Sequence, residues 1–198
     1  MMGNDMEERN ERRPSIAELE AELNRVNYKN RYQSVLRSTV YTLITVAAVA
    51  VLVATLWLPV LQIYGSSMTP TLQDGEIVFS VKTTDLESGD VIAFYYNNKI
   101  LIKRVIANSG DWVNITEDGT VYVNDAELME PYVNEKSFGE ADISFPYQVP
   151  DGYFFVMGDH RETSVDSRHT AVGCVSPDQI VGKIVFRIWP WKSIGPTD

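Results

Sequence analysis

An uncharged apolar run from Val40 to Leu61 constrains this chain more than any other feature. As a helix its 22 residues span about 33 Å, the thickness of a bilayer's hydrocarbon core, at roughly 1.5 Å per residue. A helix buried in a soluble domain is seldom apolar on every side over such a length. A cleavable signal sequence usually carries a shorter apolar stretch, about 7–15 residues, followed by an A-x-A pattern, and none follows here. The expectation is a retained transmembrane helix over 40–61. Arg25, Lys29, Arg31 and Arg37 precede the run, whereas the first basic residue after it is Lys82. The positive-inside bias then predicts a single-pass protein of the cell membrane, with its N-terminus cytoplasmic and residues 62–198 outside. Trp57, near the outer end, suits a membrane interface.

Residues 1–39 carry seven acidic and seven basic side chains, so the net charge of −10 belongs to the outer part. An acidic external domain argues against nucleic acid as a partner. Cys174 is the one cysteine, so no disulfide can form within these residues and the domain must be held by its own core.

The charged segment 1–14 is expected to be a disordered cytoplasmic tail. Ser15-Ile16-Ala17-Glu18 has the spacing of a capping box, and Ile16, Leu19, Leu23 and Val26 form an apolar stripe. An amphipathic cytoplasmic helix is therefore expected over 15–39. Beyond the membrane run, Asp74-Gly75, Asp118-Gly119 and Asp151-Gly152 separate short runs rich in Val, Ile, Phe and Tyr, and read as hairpin turns. The fold class is mainly β: an antiparallel β-sheet domain over 62–198 behind one N-terminal transmembrane helix. Segment 125–148 is more polar and reads as a less regular excursion.

Ser66 and Ser67 lie in the turn Gly65-Ser66-Ser67-Met68-Thr69-Pro70, a few residues beyond the apolar run. A serine attacks a carbonyl only when a base removes its proton. His160, His169, Lys103 and Lys183 are the candidate bases. Lys103 shares a strand face with Leu101 and Val105, and apolar surroundings lower a lysine's pKa; equally, Lys103-Arg104 could decorate an edge strand. The segment from Gly158 to Arg168 is dense in polar groups, either a solvated loop or the wall of a site. A Ser–His–Asp triad drawn from Ser67, a histidine, and Asp159 or Asp166 is also open at this level.

Taken together, these segments resemble the type I signal peptidases, in the short single-anchor form typical of Gram-positive bacteria. Gly65 to Leu72 resembles the nucleophile box, with the serine before Met, Ser67, as nucleophile. Ser88-Gly89-Asp90-Val91-Ile92-Ala93-Phe94 resembles a structural box. Ile102-Lys103-Arg104-Val105-Ile106 resembles the box of the general-base lysine, Lys103. Within 158–168, Ser164 matches a serine that hydrogen-bonds the lysine, and Asp166 and Arg168 match a structural ion pair. Three places depart from the pattern. Ala107-Asn108-Ser109 replaces a more usual Gly-containing turn before Gly110-Asp111. His160 replaces the usual Asn, and Gly65 stands where the Gram-negative form has an oxyanion-donating Ser, which leaves the oxyanion to backbone N–H groups at Gly65, Ser66 and Ser67.

The resemblance implies a serine endopeptidase with a Ser–Lys dyad, an acyl-enzyme, and no cofactor or metal. Its substrates would be preprotein signal peptides with small residues before the cut, bound as an extended strand against walls that include Ile63 and Tyr64. The lipid bilayer would be its other partner. Two rivals remain at this level: a catalytically inactive, membrane-anchored β ectodomain acting as a binding subunit, and a Ser–Lys self-cleaving protease.

Overall fold

The computed structural model describes residues 15–57, 59–83 and 85–197. The expected tail, 1–14, lies outside them. The capping box forms as read: the Ser15 N–H donates to Glu18 Oε2 at 2.9 Å, and the Glu18 N–H donates to Ser15 Oγ at 3.3 Å. From that cap one helix, α1 (Ile16–Trp57), runs without interruption for 42 residues. No Gly or Pro occurs within it, so nothing separates the polar leader from the apolar stretch. Thr39, Thr42 and Thr45 donate their hydroxyls to the carbonyls four residues back, at 2.9–3.0 Å. Those donors are therefore satisfied inside the helix, as an apolar surrounding requires. Its segment Ile16–Val53 is long and apolar enough to cross a membrane.

The helix stops at Trp57, earlier than the expected Leu61. Pro59 follows closely, and a proline, lacking an N–H, cannot continue a helix. Val60 and Leu61 are apolar because they belong to a sheet: β1 (Val60–Gln62) pairs antiparallel with β2 (Ile77–Val81).

The outer part is antiparallel β, as expected. The larger sheet also contains β3 (Val91–Tyr96), β4 (Lys99–Ala107), β9 (Phe155–Met157) and β10 (Ile180–Trp189), in the order β1-β2-β10-β3-β4-β9. A short β11 (Gly195–Pro196) adds to β10. The smaller sheet is formed by β5 (Trp112–Ile115), β6 (Val121–Val123), β7 (Ala126–Glu127) and β8 (Tyr147–Gln148), in the order β7-β6-β5-β8. Between β7 and β8 the excursion carries no regular element among the described residues.

Of the three Asp-Gly pairs, only Asp118-Gly119 turns one strand into its partner, β5 into β6. Asp74-Gly75 closes the long β1–β2 connection, and Asp151-Gly152 leads from the smaller sheet to the larger. The tight turn from β6 to β7 is instead Asn124-Asp125, both left-handed at φ 52° and 65°. Asn and Asp tolerate that region better than other side chains.

Two cores matter for the site. Ile63, Met68, Leu72, Val78, Val91, Ala93 and Ile184 pack beneath the 63–72 turn. Leu86, Ile92, Phe94, Val105, Val156 and Val175 pack around β3, β4 and β9.

Candidate active site

The turn that carries Ser67 is shaped by alternate burial. Met68 and Leu72 are drawn into the core, which leaves Ser67 half-buried at the surface of the turn. Backbone bonds close the turn: Thr69 N–H to Ser66 O at 3.0 Å and Leu72 N–H to Met68 O at 2.9 Å. Gly65 adopts φ 90°, a region that disfavours side chains.

β4 delivers Lys103 to this turn. The strand is held between β3, through the pair Lys103↔Ile92, and β9, through Arg104↔Met157. Lys103 is 3% exposed, and its Nζ donates to Ser67 Oγ at 2.7 Å. No carboxylate lies within ion-pair distance of Lys103 among the described residues. Burial lowers its pKa from 10.5 to about 8 against the pull of Asp166, while Arg168 adds to the lowering and Asp159 opposes it. An amine so poised can exist neutral near physiological pH and take a proton from the hydroxyl it touches.

Neither histidine reaches Ser67 Oγ through a hydrogen bond. The His160 ring pairs with Thr163 Oγ1 at 2.8 Å, and the Nε2 of His169 is buried without a partner among the described residues. His160 contributes through its backbone: its N–H donates to the carbonyl oxygen of Ser67 at 3.1 Å.

Asp166 and Arg168 form the ion pair read from the sequence. Arg168 Nε meets Asp166 Oδ1 at 2.8 Å, and neither side chain has any exposure. Burial works against ionisation of Asp166, but Arg168 and the Gly158 N–H outweigh it and hold the carboxyl below its ordinary value.

Two expectations need correction. Ser164 is buried, but its hydroxyl makes no hydrogen bond to Lys103; among the described residues Ser164 Oγ has no hydrogen-bond partner. It is packed against Gly158, near enough to the Asp166 carboxylate to favour its ionised form. Gly65 is not a free oxyanion donor, because its N–H is already given to Asp74 Oδ1 at 2.7 Å. The N–H groups of Ser66 and Ser67 donate to no acceptor among the described residues.

Ile63 is almost fully packed in the core, whereas Tyr64 is 80% exposed. Both line an open, largely apolar cleft of about 460 Å³, together with Leu61, Ile100, Ile102 and Ser67.

Several residues around the site had no assigned role in the sequence reading. Arg104, next to Lys103, pairs with buried Asp159 through Nε–Oδ1 at 2.9 Å and Nη2–Oδ2 at 2.7 Å. It also reaches Gly89 O at 2.6 Å and Thr71 Oγ1 at 3.2 Å, and lies 3.8 Å over the Tyr132 ring. Arg161 pairs with Glu130 from the excursion, both essentially unexposed. The legible signal was an arginine inside an apolar strand and two further charges in the 158–168 loop; their partners lie 31 and 55 residues away in sequence.

Comparisons with known proteins bear on this arrangement. Residues 36–189 match the family model described as signal peptidase, peptidase S26. A signal peptidase IB of Staphylococcus aureus is 42% identical over 150 residues, covering 66% of this chain and 77% of that protein. Signal peptidase I T of Bacillus subtilis is 36% identical over 146 residues, covering 67% and 75%. A crystal structure of a signal peptidase I from Enterococcus faecalis V583 aligns at 29% identity with a TM-score of 0.43, covering 50% of this chain and 97% of that one. With a match over well more than half of its residues, the chain belongs to the signal peptidase, peptidase S26, family.

Proposed function

We propose that the protein is a membrane-anchored serine endopeptidase that removes signal peptides from exported preproteins. The observation that carries this reading is the 2.7 Å contact between Ser67 Oγ and a buried Lys103 whose pKa is lowered to about 8, in a chain of this family. In the proposed cycle neutral Lys103 accepts the Ser67 proton as Oγ attacks the scissile carbonyl carbon. The lysine then gives that proton to the departing amine, which leaves as the new N-terminus of the mature protein. The signal peptide remains as an ester on Ser67. Water, deprotonated by Lys103, hydrolyses the ester and restores both groups. The free N–H groups of Ser66 and Ser67 are the candidate oxyanion donors.

An extended peptide laid in the cleft beside Tyr64 and Ile102 would present alternate side chains to an apolar wall, which suits small residues before the cut. The apolar helix serves as the anchor, with the N-terminus cytoplasmic and the β domain outside by the charge asymmetry of its flanks. Trp189 and Trp191 are exposed and meet edge-to-face at 6.0 Å, which suits contact with lipid headgroups. Cleavage of a secretory precursor, with N-terminal sequencing of the product, tests the reading. A catalytically inactive ectodomain would leave the precursor whole.

A further inference from the structure

Loop 158–168 does more than carry the Asp166–Arg168 pair. It holds the nucleophile's own backbone, since the His160 N–H donates to Ser67 O at 3.1 Å. Gly158 is packed so closely there that a Cβ would stand 2.5 Å from Ser67 O and 2.3 Å from Ser164 Oγ. A loop seated this tightly transmits any displacement of its own to Ser67. The excursion over 125–148 in turn braces the loop. Glu130 takes Arg161 in a two-pronged pair, with one contact at 3.0 Å from Nη1 to Oε2. The same guanidinium donates Nε to Gly158 O at 3.0 Å, one residue before Asp159. Phe138 O accepts from Arg168 at 2.8 Å, and Asp142 accepts from the Thr170 hydroxyl at 2.7 Å.

We infer that Glu130 and Arg161 are positioning residues for the Ser67 reaction, and that the excursion is the buttress through which they fix the loop against the nucleophile's carbonyl. The inference rests on the reading of Ser67 as nucleophile. Both residues act through geometry. Arg161 bonds Gly158 O and Glu130 rather than Ser67 or Lys103, so what its loss does to the reaction passes through the loop.

The test uses the full chain in detergent micelles and a fluorogenic peptide with Ala at the first and third positions before the cut. The double variant Glu130→Leu/Arg161→Met removes both buried charges together, so neither charge is left unpaired. It also removes the hold on Gly158 O. The expected result is a variant that still folds with a cooperative thermal transition, an unchanged KM, and a kcat at least about ten-fold lower, as small displacements of reacting groups cost that much or more. A wild-type kcat in the folded variant, or a loss confined to KM, overturns the inference. Should the double variant fail to fold, Arg161→Lys decides: it keeps a cation opposite Glu130 but not the fork that reaches Gly158 O as well. A folded Arg161→Lys with lowered kcat and native KM supports the role, and wild-type kcat overturns it. Ser67→Ala runs alongside; if it still cleaves, the nucleophile assignment fails, whatever the pair does.

Discussion

Lys103 and Arg104 are consecutive on β4, both at most 4% exposed, yet the fold treats their charges in opposite ways. Arg104 is met by the two oxygens of Asp159, a carbonyl, a hydroxyl and an aromatic face. Lys103 is given a single serine hydroxyl. A guanidinium keeps its proton under any ordinary condition, so burying it demands a full set of acceptors. An ammonium can shed its proton, so burying it without a carboxylate makes it a base. One strand thus carries a fully paired cation and an amine poised to lose its proton, told apart by what the neighbouring loops supply.

The sharpest way to break this contrast is to remove the reactive side. Ser67→Ala and Lys103→Ala are each expected to lower precursor cleavage by about 10²–10⁴-fold or more, the usual worth of a general base. Lys103→Arg should be as inactive, since it restores size and charge but cannot give up the proton. An active Lys103→Arg, read by precursor processing, would sink the idea of a neutral amine.

Removing the structural side should act on stability. Asp159→Asn leaves Arg104 buried without its counter-charge, at a cost of about 3–5 kcal/mol in thermal or denaturant unfolding. An unchanged melting temperature would mean that the pair is dispensable.

Lys103 itself should be a source of instability. Its folded pKa, about 8, lies below the ordinary 10.5, so the unfolded chain binds its proton more tightly between those values. Stability therefore rises with pH from about 8 to 10.5, and the burden is full below about 8. Lys103→Met, which holds no proton, should be more stable than wild type at pH 7 by up to about 3 kcal/mol, with the gain shrinking towards pH 10.5. Equilibrium unfolding of both proteins at several pH values checks this; a gain that does not depend on pH would argue against it. By contrast, kcat/KM should rise with pH up to about 8 and level off above it, as Lys103 loses its proton.

The smallest effects are expected at the imidazoles. His160→Ala and His169→Ala should stay within about two-fold of wild-type cleavage, because neither ring bonds Ser67 Oγ. A dead histidine variant beside an active Lys103→Ala would reverse the assignment of the base.

What could be read from the sequence follows the range over which each feature is encoded. The capping box at Ser15, the strand runs and the identities of Ser67, Lys103, Asp166 and Arg168 are carried by short motifs. The fate of Val60 and Leu61 was not legible, because an apolar pair has the same texture at the end of a membrane helix and in a sheet. Pro59 was the available sign. The Arg161–Glu130 pair was not legible either, since an irregular polar excursion offers no periodicity from which a contact could be inferred. Gly65 was misread as a donor because a motif names residues but not the bonds already made; Asp74, nine positions on, had taken its N–H.

The three buried guanidinium–carboxylate pairs have one more consequence. With a lone cysteine, half-buried, this domain ties distant segments together through Arg104–Asp159 and Arg161–Glu130, while Arg168, paired locally with Asp166, reaches the excursion at Phe138 O. These ties serve where secreted domains of similar size often use disulfides. They are indifferent to oxidant and reductant alike and answer to protons instead. Asp166, held below its ordinary 3.8, contributes fully above that value and fails as pH falls through its folded one. Strong acid, rather than a thiol, is the reagent that should unlace the domain.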